Sequence, residues 1–358
     1  MLSKKIGLLT IHDTLNYGSL LQTYALYQAI QSMNLEVELI DYKCEKIQKR
    51  ENTFELRDNL NLQGIVKYLL WHKALKEKYL AFWKFIKCHM KISDSYNKYT
   101  ISNTNALYDM FVVGSDIVWG TNITGHDFTY FLDFANKCKR KIAFSSSVGT
   151  KWSKEDCGQI TTLLNRFDEI SVREQLASEW IKEVTGRDVK VTCDPTMLWS
   201  KDFWDKIVDE SILPSRKYAL VYLTTSDKQN IEDAKKYANG HNWDVLFINF
   251  YKPLKGVHNI KPVSIGQWIA LIKNAEIIFS ASYHGLLFSL YFHKPVFFYN
   301  RGEKSRMISL AEELRIKHRE GNVKNLKNNK PIDFTYVDEK MKEKRDYSWR
   351  VLKEYLIK

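Results

Sequence analysis

The chain lacks the cysteine pattern of a disulfide framework or a structural zinc site. Its five cysteines, Cys44, Cys88, Cys138, Cys157 and Cys193, are scattered, odd in number and never in C-x-x-C spacing. The nine histidines show no ligand spacing, so no catalytic metal is expected. No apolar run approaches the length of a membrane span. The chain opens Met1-Leu2-Ser3-Lys4-Lys5 and passes straight into a strand pattern without a signal-peptide core. A soluble, cytoplasmic protein is the expectation. Zinc-finger, RNA-recognition and helix-turn-helix patterns are missing, and the basic residues form no compact arm, which speaks against nucleic acid. G-x-G-x-x-G and the P-loop are missing too, so a dinucleotide or Walker-type site is unsupported. No period marks a solenoid.

What is present is a chain of 358 residues, longer than one hydrophobic core usually serves, so two domains are expected. Hydrophobic residues make up 44% and charged residues 27%, ordinary for a globular protein. Aromatics reach 13%, which suits either large cores or the handling of sugars. The net charge of +12 favours anionic partners, here phosphorylated small molecules or an anionic membrane surface.

Strand and helix patterns alternate along the chain, the signature of an α/β fold. Ile6–Ile11 reads as a buried parallel strand. A helix over about 19–33 and a strand at Val37–Ile40 complete a β-α-β unit. Residues from about 51 to 90 read as a charged, aromatic helical insertion (about 51–100 with its flanks) that caps the sheet or covers a site. Strands follow at Met110–Val113, Lys141–Phe144, Glu169–Val172 and Val189–Thr192. The alternation restarts beyond Pro214 with strands at Tyr218–Leu223, Val245–Ile248, Glu276–Phe279 and Pro295–Tyr299. The expected division is 1–212, 213–337, and a closing helix over 338–358 that packs back on the first domain.

Ligands in such sheets bind beyond the carboxyl ends of the strands. Asn16-Tyr17-Gly18-Ser19, Gly114-Ser115-Asp116, Ser145-Ser146-Ser147-Val148-Gly149 and Ser280-Ala281-Ser282-Tyr283-His284-Gly285 all follow predicted strands. Small-residue turns that open helices suit anions through their free amides; plain capping is the alternative. His284 is the sharpest candidate, a histidine among small polar residues at a strand-to-helix turn. His12 has a weaker claim. Asp116 suits a base or a hydroxyl acceptor, or else caps the amides that follow it. Arg173, just past a strand, suits a phosphate or carboxylate, or else a surface ion pair. Lys304 lies in the basic loop Arg301–Arg306 after the last strand.

In order along the chain stand Asn16-Tyr17-Gly18-Ser19-Leu20-Leu21-Gln22-Thr23-Tyr24-Ala25-Leu26, Val113-Gly114-Ser115-Asp116-Ile117-Val118-Trp119 and Ser145–Gly149. Ser171-Val172-Arg173-Glu174, Asp194-Pro195-Thr196 and Ser280–Gly285 follow. As an ordered set they resemble the polysaccharide pyruvyl transferase family. Ile117 stands where Gln is common and Ser19 where Ala is common, differences that bear on acceptor preference. The resemblance implies two Rossmann-like domains facing a cleft, as in GT-B glycosyltransferases. It implies phosphoenolpyruvate as co-substrate with no further cofactor, a carbohydrate acceptor, and a pyruvate ketal as product. It assigns His284 as the acid or a phosphate ligand, and Arg173 and Lys304 as the cations. On the reading of the turns themselves, Asp116 is expected to orient or deprotonate the acceptor hydroxyl, and Asn16, Tyr17, Gly18, Ser115, Ser282 and Gly285 are expected to line the substrate.

Two rival readings share the architecture: a GT-B-type glycosyltransferase using a nucleotide sugar, and a non-catalytic glycan-binding module. The lysine-rich C-terminal stretch with Tyr347, Trp349 and Tyr355 suits peripheral contact with the inner face of a cell membrane, where lipid-linked glycans are assembled; a solvated helix face is the alternative.

Overall fold

Runs such as Met110–Val113, Tyr218–Tyr222 and Ile277–Ser280 are buried along their whole length. Such strands belong in parallel sheets covered by helices on both faces. The computed structural model describes residues 4–51, 62–225, 227–300 and 306–357. Among these the strands are β1 (Lys5–Leu9), β2 (Glu36–Tyr42), β3 (Ile92–Tyr96), β4 (Met110–Val113), β5 (Arg140–Ser146), β6 (Glu169–Val172) and β7 (Lys190–Val191). They continue with β8 (Tyr218–Tyr222), β9 (Asp244–Ile248), β10 (His258–Ile260), β11 (Ile277–Ser280) and β12 (Val296–Phe298). They form a seven-stranded sheet, β3-β2-β1-β4-β5-β6-β7, and a five-stranded sheet, β10-β9-β8-β11-β12. Every pairing is parallel, for example Ile6 opposite Val37 and Met110, and Ile278 opposite Leu220 and Val296. Both orders are those of a doubly wound Rossmann-like sheet.

The chain packs as two compact units that are not contiguous in sequence. The first takes Met1–Leu60, Phe82–Trp199 and Glu343–Lys358, and the second takes Asn61–Ala81 and Ser200–Lys342. Where a helical insertion is expected, the structure has helices at Glu45–Glu51 and Leu62–His89 and then β3, an edge strand of the first sheet. The sequence Ile92-Ser93-Asp94-Ser95-Tyr96 is too polar to read as a strand, and an edge position tolerates that polarity. The terminal helix, Phe334–Ile357, starts a turn earlier than expected. Its later part is tied into the first unit: Tyr355 donates to the Ile170 carbonyl at 2.8 Å, and Ser348 accepts from the Cys193 amide at 2.9 Å.

The first unit's core holds Trp119, fully buried, stacked on Phe131 at 5.5 Å and donating its indole N–H to the Tyr130 carbonyl at 2.9 Å. In the second unit Phe288 lies edge-on to both Trp204 (5.0 Å) and Trp268 (5.1 Å). Phe288 is fully buried, so Phe288→Ala should cost about 3–5 kcal/mol. Urea denaturation of the full chain reads this, and a loss below about 1 kcal/mol would mean the aromatic trio is not packed as described.

Candidate functional site

In a doubly wound sheet the ligand edge lies where the strand order reverses. That point falls between β1 and β4 in the first unit and between β8 and β11 in the second. The turn after β1 opens the helix Tyr17–Gln31. Asn16 caps it, its Oδ1 accepting from the amides of Gly18 (2.9 Å) and Ser19 (3.4 Å). Tyr17 is buried edge-on against Phe82, at 5.3 Å. Gln22, with no exposure, joins this helix to the turn after β4: its Oε1 accepts from the Ser115 amide at 2.9 Å, and its Nε2 donates to Thr10 Oγ1 and the Ser19 carbonyl. Ser115 is itself fully buried, and its Oγ accepts from the Asp116 amide at 2.5 Å. Asn16 and Ser115, expected as substrate ligands, thus hold the two turns in place. Gly114, at φ +144°, leaves no room for a side chain, since a Cβ would run into the Phe144 carbonyl.

Asp116 and Arg173 come together. Arg173 is expected as an open anion site or a surface ion pair; the structure instead buries its side chain among three carboxylates. Nη1 lies 2.6 Å from Asp194 Oδ2, Nε 3.1 Å from Glu174 Oε1, and Nη2 3.6 Å from Asp116 Oδ1. Asp194, fully buried, spends its other oxygen on the amide and hydroxyl of Thr196. Glu174 also accepts from Ser147 Oγ at 2.7 Å. Burial pushes the Glu174 carboxyl up, against the pull of Arg173 and Ser147, with Asp116 adding to the rise. Ser145 and Ser146 are buried as well and turn their hydroxyls onto the carbonyls of Cys193 and Val113. Asp116 keeps partial solvent access and sits at φ +52°, a conformation that Asp tolerates better than most residues.

In the second unit β11 leads into the helix Tyr283–Tyr291. Ser282 caps it, Oγ accepting from the Gly285 amide at 3.2 Å. His284 stands in the first turn and is buried to 7% exposure. It meets Tyr283 edge-on at 5.5 Å, and the Arg306 guanidinium lies over the Tyr283 ring at 5.3 Å. Gly285, expected to face substrate, has a packing reason to be glycine: a Cβ there would strike Ser280 Oγ and reach 3.0 Å from Tyr222. Lys304 lies outside the described residues.

His12 has both ring nitrogens committed, Nδ1 to the Thr10 carbonyl and Nε2 to Asp41 Oδ1, each at 3.2 Å. Among the described residues no group of three or more His, Cys, Asp or Glu is placed to hold a metal. Burial pushes the Cys44 thiol up to about 11 and the Cys193 thiol up to about 12, so neither is a nucleophile near neutral pH. Sequence reasoning missed Gln22, Glu174 and Asp194 as structural partners of the site, although all three stand inside the quoted motifs.

The two sheets and their edges define a GT-B-like α/β protein. Solved structures agree on the fold. A putative UDP-N-acetylglucosamine 2-epimerase from Listeria monocytogenes is 12% identical with a TM-score of 0.56, covering 98% of this chain and 91% of that one. UDP-GlcNAc 2-epimerase from Neisseria meningitidis, bound to UDP-GlcNAc, is 10% identical with a TM-score of 0.52 over 99% of each chain. The S. aureus MnaA–UDP structure is 13% identical with a TM-score of 0.51, covering 97% of this chain and 90% of that one. No curated relative matches the sequence. The profile of the polysaccharide pyruvyl transferases matches residues 16–303, and the chain belongs to that family.

Two outcomes test the ion cluster. Asp194→Ala strands a buried guanidinium and should cost about 3–5 kcal/mol in chemical denaturation. A loss within the roughly 0–1 kcal/mol of a surface pair would contradict the burial. Glu174 holds its proton to higher pH in the native protein than in the unfolded chain. Its contribution to stability is therefore present in acid and lost as pH rises between those two points. Glu174→Gln should flatten that stretch of the stability–pH curve, and an unchanged slope would show that Glu174 ionises normally.

Proposed function

We propose that the chain moves a pyruvyl group from phosphoenolpyruvate onto a sugar of a cell-surface or exported polysaccharide, forming a pyruvate ketal. Family membership over residues 16–303 carries this reading. The chemistry is acid–base throughout. A proton adds to the methylene carbon of the enol phosphate, and the neighbouring carbon becomes oxocarbenium-like. One sugar hydroxyl adds to that carbon and loses its proton; phosphate leaves with the electrons of its C–O bond. A second hydroxyl then adds to the same carbon and loses its proton, closing the ketal. One of the two hydroxyl protons makes up the new methyl group and the other leaves with phosphate. Nothing is oxidised or reduced, so phosphoenolpyruvate serves as co-substrate and no further cofactor enters.

His284 is the proposed proton donor or phosphate ligand. Its place in the first turn of a helix of nine residues supports this, because amides there favour an anion. Ser282 and Gly285 frame the same turn, and Lys304 adds a cation for phosphate or carboxylate. In the first unit, Asp116 orients or deprotonates the acceptor hydroxyl, and Asn16, Tyr17, Gly18 and Ser115 shape the turns around it. The role implied for Arg173 toward phosphoenolpyruvate competes with three carboxylates already around it, which supports a share in holding Asp116. Work on a lipid-linked acceptor at the inner face of the membrane, with peripheral contact, belongs to the same reading. The net charge of +12 supports it, and no described helix is long and apolar enough to cross a membrane.

The test is phosphate release from phosphoenolpyruvate by the purified chain over a panel of glycans. Acceptor-dependent release, with a product heavier by one pyruvyl ketal, is expected. His284→Asn should lower the rate about 10²–10⁴-fold while the protein stays folded. Inert phosphoenolpyruvate together with tight binding of a nucleoside diphosphate would assign the chain to nucleotide-sugar glycosyl transfer instead.

A further inference from the structure

The first unit carries a second feature on the ligand edge of its sheet. Past the carboxyl ends of β2 and β3 opens a cavity of about 1040 Å³. That exceeds the roughly 300–1,000 Å³ of a small-molecule pocket, which suits an extended ligand. Its floor is a closed polar network: the buried Tyr42 hydroxyl donates to Asp127 Oδ2 at 2.6 Å and accepts from Thr129 Oγ1 at 3.0 Å. Its rim is aromatic and basic. Tyr99 is 79% exposed, an unusual place for a large ring. A firm turn presents it, with the Tyr99 amide donating to Asn97 Oδ1 (2.9 Å) and the Asn97 amide to Thr100 Oγ1 (3.0 Å). Tyr96 stands beside it on the last residue of β3.

The charges divide unevenly. Lys43 is neutralised by Asp13 and Asp41, and Lys49 by Glu45. Lys98, 4.9 Å over the Tyr99 ring, and Lys46 also line the cavity; among the described residues neither closes an ion pair within 4 Å, although Glu45 and Asp127 lie near enough to Lys98 to act on its charge. The Lys46 stem rests against Gly125, where an added Cβ would come within 3.0 Å of it. The lining thus offers exposed tyrosine faces for the apolar faces of sugar rings, a hydroxyl–carboxylate network for their hydroxyls, and four lysines against three carboxylates, with Lys46 and Lys98 outside any close ion pair.

We infer that this cavity beyond β2 and β3 is the acceptor-glycan site, and that it takes an oligosaccharide carrying an anionic group near Lys46 and Lys98. The inference rests on the pyruvyl-transfer reading only in calling the glycan an acceptor. Aromatic rings that are already ordered lose little freedom on binding, and the excess of lysines over carboxylates in the lining supplies the selection for charge. The anion's source is either a uronic-acid carboxylate or a sugar phosphate.

The test uses the full chain on an array of defined oligosaccharides: neutral, uronic-acid-bearing and phosphate-bearing. Retention of the anionic members is expected, and which of the two is retained identifies the anion. Tyr99→Ala should weaken that binding about tenfold, as should the double variant Lys46→Glu/Lys98→Glu. All three side chains are exposed, so unchanged melting curves are expected. If the array retains no anionic glycan, or both variants bind as the native chain does, the inference is wrong. The catalytic reading fails separately, when the native chain releases no phosphate from phosphoenolpyruvate with the retained glycan. Where release occurs, the variants should raise the glycan KM and leave kcat nearly unchanged.

Discussion

The 2.6 Å contact between Arg173 and Asp194 is the interaction on which the first unit's ligand edge depends. Neither side chain has appreciable access to water, and two buried charges are tolerable only when each is held in good geometry by further partners. The surrounding chain supplies them. Thr196 gives Asp194 an amide and a hydroxyl, Ser147 gives Glu174 a hydroxyl, and the last two serines of β5 occupy the neighbouring carbonyls. The serine run at the end of β5 is therefore a packing layer that lets a guanidinium sit inside the sheet edge. Asp116 and Glu174 are the members of this cluster that still meet solvent, and the position of Asp116 is fixed from below by buried charge. Gln22 does the same without charge, from helix Tyr17–Gln31 to the Ser115 amide.

The second unit reaches its ligand edge by other means. Around Ser282–Gly285 the structure shows steric fit and capping. Gly285 lets the helix start settle on Ser280 and Tyr222, and Ser282 satisfies the Gly285 amide. The apolar face behind the turn is held by Trp204, Trp268 and Phe288. His284 is thus presented by rigid packing, where a change of one methyl group displaces the turn.

This contrast explains what the sequence disclosed. Buried strands such as β4, β8 and β11 are legible because both faces are covered and the apolar run is continuous. The edge strands β3 and β10 are short and polar, and no local pattern marks them. The turn around His284 is legible because its cap, its glycine and its histidine are neighbours in the chain. The cluster around Arg173 is not: Asp194 lies 21 residues away, and Ser115 lies 93 residues from the glutamine that fixes its amide. A motif scan sees each segment and the order of segments, which sufficed for the family. It does not see that a cation inside one motif is already matched by acids from two others. The aromatic and basic cavity escapes for the same reason, since Lys46 lies in the helix after β2 and Lys98 in the turn after β3.

Charge along the first sheet's ligand edge then has a direction. Carboxylates outnumber the guanidinium near the switch point, where Asp116, Glu174 and Asp194 surround Arg173. Toward β2 and β3 the cavity lining carries four lysines against three carboxylates, a slight positive excess. An anionic polymer laid along this edge is repelled at one end and attracted at the other, and like-charge contact discriminates against the reversed arrangement as strongly as attraction favours the right one. In the proposed site the charged groups of such a polymer would lie beside the lysines, leaving a neutral, hydroxyl-bearing unit to face Asp116. The net charge of +12 favours the approach of an anionic polymer, and on the proposed reading the uneven distribution along one sheet edge would select which of its sugars faces Asp116.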